Sequence, residues 1–333
     1  MKRLGFVLLA VVVLLLGAIT ATIGWRPFLG PRARPLTERR FESTPERLAR
    51  GKYMVESVTG CVYCHSELDW KSRGFPVKAG TEGGGRSWAD EGLPFLVAPN
   101  ITKDPETGGG RWTDDMYARA VREGIGHDGR ALFPLMPYAN FRHMSDEDLA
   151  SVVVYIKSLP PQHKVLPKSQ VPFPVNRLIN GAPLPVTTPV AAPAPAKRGE
   201  YLVTMGSCFD CHSPQDDRGQ RVPGFAYGGG FLFENPGGAV ASANITPDPT
   251  GIPYYDEALF LEMMRTGQVK ARKIHDFMPW SFYRTQSDDD LKAMFAYLKT
   301  LAPVSHMVDN SLPPTPCPRC GLRHGGGDKN KAS

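Results

Sequence analysis

The chain has 333 residues, 41% of them hydrophobic and 22% charged, with a formal charge of +6. That length suits two or three domains, and this balance excludes both a disordered chain and a multi-span membrane protein. The 34 glycines and 32 prolines predict long irregular loops. Six cysteines and the basic charge raise two defaults, three disulfides and a nucleic-acid or anionic partner, which depend on where those residues lie.

Met1-Lys2-Arg3 precedes an uncharged, mostly apolar run from Leu4 to Trp25. As helix, these 22 residues span the ~30 Å hydrocarbon core of a bilayer. A cleaved signal peptide competes, but the run ends Ala21-Thr22-Ile23-Gly24-Trp25 without a clear small-x-small site. Residues 1–26 are expected to be an N-terminal membrane anchor or signal segment, and 27–44 a juxtamembrane linker. Arg26, Arg32 and Arg34 outnumber Lys2 and Arg3, so charge counting alone does not set the orientation.

The rest of the chain repeats itself. Arg50-Gly51-Lys52-Tyr53 matches Arg198-Gly199-Glu200-Tyr201, and Cys61-Val62-Tyr63-Cys64-His65 matches Cys208-Phe209-Asp210-Cys211-His212. Asn100-Ile101-Thr102 matches Asn244-Ile245-Thr246, Met136-Pro137-Tyr138 matches Met278-Pro279-Trp280, and Ser145-Asp146-Glu147-Asp148-Leu149 matches Ser287-Asp288-Asp289-Asp290-Leu291. The pairs keep their order, so we expect two domains, 45–160 and 196–304. Between them, 161–195 is proline-rich and reads as an extended linker packed along the domains, with a free tether as the alternative.

Each unit is expected to open and close with a helix. Pro45 suits a first helical position. Ser145 and Ser287 are N-cap candidates, each followed by three acids. Leu149, Val152, Val153 and Ile156, and likewise Leu291, Met294, Phe295 and Leu298, give one apolar face per closing helix. A middle helix is expected near Thr113-Asp114-Asp115 and near Tyr255-Asp256-Glu257. No alternating strand pattern stands out, so the fold class is all-α, with long Gly/Pro loops.

C-x-x-C-H is the attachment signature of c-type haem: each thiol adds across a haem vinyl group and the adjacent histidine ligates the iron. A thioredoxin-like dithiol or a zinc site could share a single match, but two matches at the same place in a duplicated unit favour haem, and a βαβ setting is absent. Cys61, Cys64, Cys208 and Cys211 are thus expected to carry two covalently attached haems, with His65 and His212 on the iron. Met136 and Met278, 71 and 66 residues further on, are the matched candidates for the sixth ligand, and thioether sulfur suits iron. His127, His143 and His275 are competitors without counterparts in the other unit. The matched aromatics Trp112 and Tyr254, and Tyr138 and Trp280, could line the haem or simply pack the core. Asn100 and Asn244 are expected to cap loops.

On these motifs, and on Val171-Pro172-Phe173-Pro174-Val175-Asn176 in the linker, each unit resembles the class I cytochrome c fold. Residues 45–304 resemble the multi-haem cytochrome c subunits of bacterial membrane-bound alcohol and gluconate dehydrogenases. The resemblance implies an electron-transfer protein rather than an enzyme. A periplasmic dehydrogenase or quinol-oxidising complex would be its donor, and a cytochrome c or terminal oxidase its acceptor. A dihaem enzyme such as a peroxidase and a structural haem subunit of a respiratory complex are the alternatives. Haem attachment occurs outside the cytoplasm, which orients the chain as single-pass in a bacterial inner membrane with haem domains in the periplasm.

Residues 305–333 read as a flexible tail. Cys317-Pro318-Arg319-Cys320-Gly321 is not a haem motif, because His324 is not adjacent. Its thiols are expected free or as one disulfide, with metal binding through borrowed ligands such as His324, or redox chemistry, as alternatives. Residues 1–44 hold seven Lys/Arg and two Asp/Glu, 305–333 hold four and two, and 45–304 are left at −1 before four haem propionates are counted. The basic charge belongs to the chain ends, and no nucleic-acid partner is expected.

Overall fold

The computed structural model describes residues 2–217, 219–235 and 238–331. Helix α1 (Lys2–Ala21) is solvent-exposed along its length, and its Arg3–Ala21 stretch is long and apolar enough to cross a membrane. The chain then runs through a short turn at Arg26–Leu29, which packs on the linker turns at Val175–Gly181. Arg34 ties this segment to the first unit, pairing with the buried Asp115 and Glu123 at 2.7 Å each. The backbone N–H groups of Thr37 and Phe41 donate to Asp115 and Asp114.

The first unit comprises α2 (Pro45–Tyr53), α3 (Cys61–Cys64), α4 (Asp114–Glu123), α5 (Tyr138–Phe141) and α6 (Asp146–Ser158). Thr44, Thr113 and Ser145 cap α2, α4 and α6, each side-chain oxygen accepting an N–H three residues on. The second comprises α7 (Arg198–Met205), α8 (Cys208–His212), α9 (Glu257–Thr266), α10 (Trp280–Tyr283) and α11 (Asp288–Leu298), with Asp256 and Ser287 as caps. In each unit the opening helix crosses the closing one at a glycine. A Cβ on Gly51 would lie 2.0 Å from the Ser151 carbonyl oxygen, and one on Gly199 2.0 Å from that of Ala293. No side chain fits between these backbones, which explains the paired Arg-Gly.

The two units share one hydrophobic core and meet through reciprocal contacts. Tyr53 Oη donates to Asp290 Oδ2 at 2.5 Å, and Tyr201 Oη donates to Asp148 Oδ2 at 2.5 Å. The same hydroxyls accept from the N–H groups of Ser287 and Ser145. Arg50 pairs with Asp148 and Arg198 with Asp290. Each opening helix therefore grips the closing helix of its own unit by arginine and that of the other by tyrosine, a pseudo-two-fold arrangement.

The helical architecture agrees with expectation, but short strand pairs are added to it. Four two-stranded antiparallel sheets occur among the described residues: β1 (Arg86–Ser87) with β2 (Val97–Ala98), β3 (Leu232–Asn235) with β4 (Gly238–Ala241), β5 (Gln268–Val269) with β6 (Arg272–Lys273), and β7 (Pro314–Pro316) with β8 (Arg323–Gly325). Strands of two to four residues are too short to show alternation, so they were not legible in the sequence. The tail is corrected: β7 and β8 form a hairpin that buries Cys317, Cys320 and His324 instead of a flexible end. Its buried contacts come from residues 222–228 and 304–306, which local composition could not reveal. Linker residues bond to the first unit, Gln170 N–H to the Phe95 carbonyl, Ser169 Oγ to that of Val97, and Asp146 N–H to that of Val190.

Candidate functional site

Both C-x-x-C-H segments sit on one short helical turn entered from a left-handed residue. Gly60 holds φ +63° before Cys61, and Ser207 holds φ +56° before Cys208. The approaches differ by one residue, ten from Gly51 to Cys61 against nine from Gly199 to Cys208. The first unit absorbs the extra residue in a π-helical turn at Met54–Val58, whose wider spacing accommodates one more residue without disturbing the register on either side.

The histidines are oriented alike. His65 Nδ1 lies 2.8 Å from the Pro99 carbonyl oxygen, and His212 Nδ1 2.7 Å from that of Ala243. A carbonyl accepts only, so each Nδ1 carries the proton and each Nε2 is left as a bare donor to a metal. Burial lowers both imidazole pKa values, which keeps the rings neutral. The acceptor carbonyls belong to the residues before Asn100 and Asn244. Both asparagines are buried and anchor their loops identically, Oδ1 accepting from the N–H and Oγ1 of Thr102 or Thr246, and Nδ2 donating to the Gln162 or Val304 carbonyl. The Asn-Ile-Thr pair thus holds the carbonyl that sets the histidine tautomer.

Cys61, Cys64, His65 and Met136 line one largely apolar cleft with Leu96 and Val121. Met136 and Met278 occupy matched turns: Tyr138 N–H donates to the Met136 carbonyl at 2.8 Å, Trp280 N–H to that of Met278 at 2.7 Å, and both intervening prolines have φ near −80°. Of the competitors, His127 lines the same cleft, with its ring stacked on Trp112 at 4.6 Å. His143 lies in a separate pocket beside the linker, and His275 stacks on Phe277. Tyr138 and Trp280 are core residues, whereas Tyr254 is exposed.

Burial pushes the thiols up, Cys61 and Cys211 to about 11, Cys64 and Cys208 to about 12. These are not the low-pKa thiolates on which dithiol redox motifs depend. A neutral imidazole, a thioether and two thiols on an apolar cleft suit a covalently held haem with N and S axial ligands.

The motif edges of the two units interlock. The Phe282 ring of α10 packs against Tyr63 at 5.2 Å and over Gly60, while Asn140 of α5 donates to Ser207 and Asp210 beside the second motif. Tyr283 of α10 is buried and donates to the Gly206 carbonyl, two residues before Cys208. The tyrosine–aspartate lock between units was not anticipated, although Tyr53/Tyr201 and Asp148/Asp290 stand within the matched segments.

Residues 48–160 match the cytochrome c family. The chain is 29% identical over 280 residues to the cytochrome c subunit of alcohol dehydrogenase (quinone) of Gluconobacter oxydans, covering 77% of this chain and 55% of that protein. It is 32% identical over 197 residues to a diheme cytochrome c-type protein of Cereibacter sphaeroides, covering 56% and 64%. It is 30% identical over 177 residues to the cytochrome c subunit of gluconate 2-dehydrogenase of Pantoea cypripedii, covering 50% and 38%. The chain spans less than two thirds of the length of each of these relatives.

Proposed function

We propose, from the premise that residues 48–160 are a cytochrome c domain carrying covalently bound haem, that the whole chain is a dihaem electron-transfer protein. The observation that carries this reading is the duplicated histidine geometry: two C-x-x-C-H turns, each with Nδ1 tied to a loop carbonyl and Nε2 left bare. Cys61 and Cys64 hold one haem and Cys208 and Cys211 the other. His65 and Met136 would ligate the first iron, and His212 and Met278 the second. The haems supply reversible one-electron iron chemistry at potentials raised by His/Met ligation.

The protein's own residues do the rest. Asn100 and Asn244 fix the loops that orient the histidines. The apolar lining of the first cleft excludes water. The interlocked α3–α10 and α5–α8 edges support a short path between the attachment sites, past Phe282 and Tyr283. Helix α1 anchors the chain in the inner membrane, with both units in the periplasm. The donor is a dehydrogenase or quinol-oxidising complex, in keeping with the relatives named as dehydrogenase subunits, and the acceptor is a cytochrome c or terminal oxidase.

The intact mass and the pyridine haemochrome of the membrane-extracted protein test this reading. Two covalent haems per chain are expected, and one or none would overturn it. Met136→Ala should convert one haem to a high-spin or alternatively ligated form with a lower potential. An unchanged spectrum would remove Met136 and direct attention to His127.

A further inference from the structure

We propose that the C-terminal hairpin and His306 form a tetrahedral Cys2His2 site for a zinc ion. The ligand atoms of His306, Cys317, Cys320 and His324 all lie within 4.8 Å of one another, and all four residues are buried. Tetrahedral zinc, with Zn–S about 2.3 Å and Zn–N about 2.0–2.1 Å, holds its ligand atoms roughly 3.3–3.8 Å apart. Cys317 Sγ is 3.6 Å from His306 Nε2, and the two Nε2 atoms are 3.0 Å apart. Closing on an ion would part the two rings slightly and draw the widest pair, within 4.8 Å, inward by about 1 Å.

The protonation pattern carries the inference furthest. His306 Nδ1 faces the Gly228 carbonyl oxygen at 2.8 Å, and His324 Nδ1 faces that of Gly325 at 3.2 Å. Carbonyls only accept, so both Nδ1 atoms carry the proton and both Nε2 atoms present lone pairs. Two lone pairs facing each other in a buried space repel, unless a cation lies between them. Carbonyl-tied Nδ1 with converging Nε2 is the second-shell arrangement of metal-bound histidine.

The cysteines agree. Both are free thiols, on a tight Cys-Pro-Arg-Cys-Gly turn in which Gly321 N–H donates to the Cys317 carbonyl and Gly321 holds φ +77°. Two soft thiolates and two imidazoles in a closed tetrahedron select zinc among the common divalent ions, and binding releases the two thiol protons. Among the described residues, the apolar cluster beneath the hairpin is small: Phe225, Val304, Cys317 and Cys320, with Val222 and Leu322 at its edge. A core that small holds a hairpin weakly, and a structural metal is the usual supplement.

The site also reaches the second haem motif. His306 rests against Gly230 and bonds Gly228, while the intervening Gly229 N–H donates to the His212 carbonyl. The zinc site therefore braces the loop that supports His212.

The test uses the full-length, haem-loaded protein purified without a polyhistidine tag from zinc-replete cells. Elemental analysis should find one zinc per chain beside the haem iron. Zinc-edge X-ray absorption should show two sulfur and two nitrogen neighbours. Cys317→Ser, and separately His324→Ala, should each lower zinc at least tenfold while haem iron per chain stays constant. A chain purified without zinc that takes up none after thiol reduction would overturn the proposal. So would a Cys317–Cys320 disulfide in the zinc-exposed protein, or a first shell of oxygen and nitrogen alone. Should either variant fail to accumulate, the absorption spectrum of the unaltered protein decides.

Discussion

The two helical units hold the same site by different local means. In 45–160 the motif is entered from a glycine after a π-helical turn, and the loop under His65 is braced from the linker by Lys164, which bonds the Gly85 carbonyl and pairs with Glu67. In 196–304 the motif is entered from a left-handed serine with no π turn, and the corresponding loop is braced by His306. Lys164 and His306 are equivalent: their N–H groups donate to Thr107 and Thr250 at 3.0 and 2.9 Å. The invariants are the histidine tautomer, the methionine turn and the helix crossing. The supporting residues are free to differ as long as they return the same loop position.

The largest effect is expected where the units agree. Gly51→Ala forces a methyl into a backbone contact, costing about 3 kcal/mol, the upper end of overpacking penalties. Gly199→Ala should cost about the same. Thermal melts of the two variants check this, and a clear inequality would show that the crossings are not equivalent.

Next comes the lock between units. Burial opposes charge on Asp148, but the hydrogen bonds from Arg50 and Tyr201 outweigh it and hold its carboxyl below the usual value. Tyr201→Phe removes a hydrogen bond to a buried charge and should cost about 1.5–3 kcal/mol. Because the folded pKa lies below the unfolded one, near 3.9, the Asp148 contribution is full above about pH 4 and is lost as pH falls further. Tyr201→Phe should narrow that acid-dependent loss. A denaturant series from pH 6 to pH 2.5 that shows equal slopes for both proteins would exclude Asp148 as its source.

The smallest effects lie where the units differ. Gly60→Ala adds a Cβ at φ +63° and only 2.9 Å from the Phe282 ring, and should cost about 1–2 kcal/mol. Ser207→Gly relieves the same backbone cost but loses the Asn140 hydrogen bond at 3.0 Å, so the net change should stay within about 1 kcal/mol. Denaturation midpoints decide, and equal losses in both variants would mean that the left-handed residue is unimportant.

The sequence alone determined what depends on near neighbours. The duplicated C-x-x-C-H and Met-Pro-aromatic segments, the serine caps and the apolar helix faces are chemistry written over a few residues. So is the exposed apolar α1, which composition marks as long enough to span a bilayer. The short strands and the π turn were hidden because two to five residues carry too little pattern.

Only the tertiary structure decided what depends on distant closure. Tyr53 meets Asp290 across 237 positions, and His306 meets a hairpin built from 314–325. The charge and cysteine count of the chain gained their meaning the same way. Arg34 is drawn into a buried carboxylate pair, and Cys317 and Cys320 become half of a four-residue cluster. Motif spacing cannot show such partners, because the groups that complete them are brought in by packing of the whole chain.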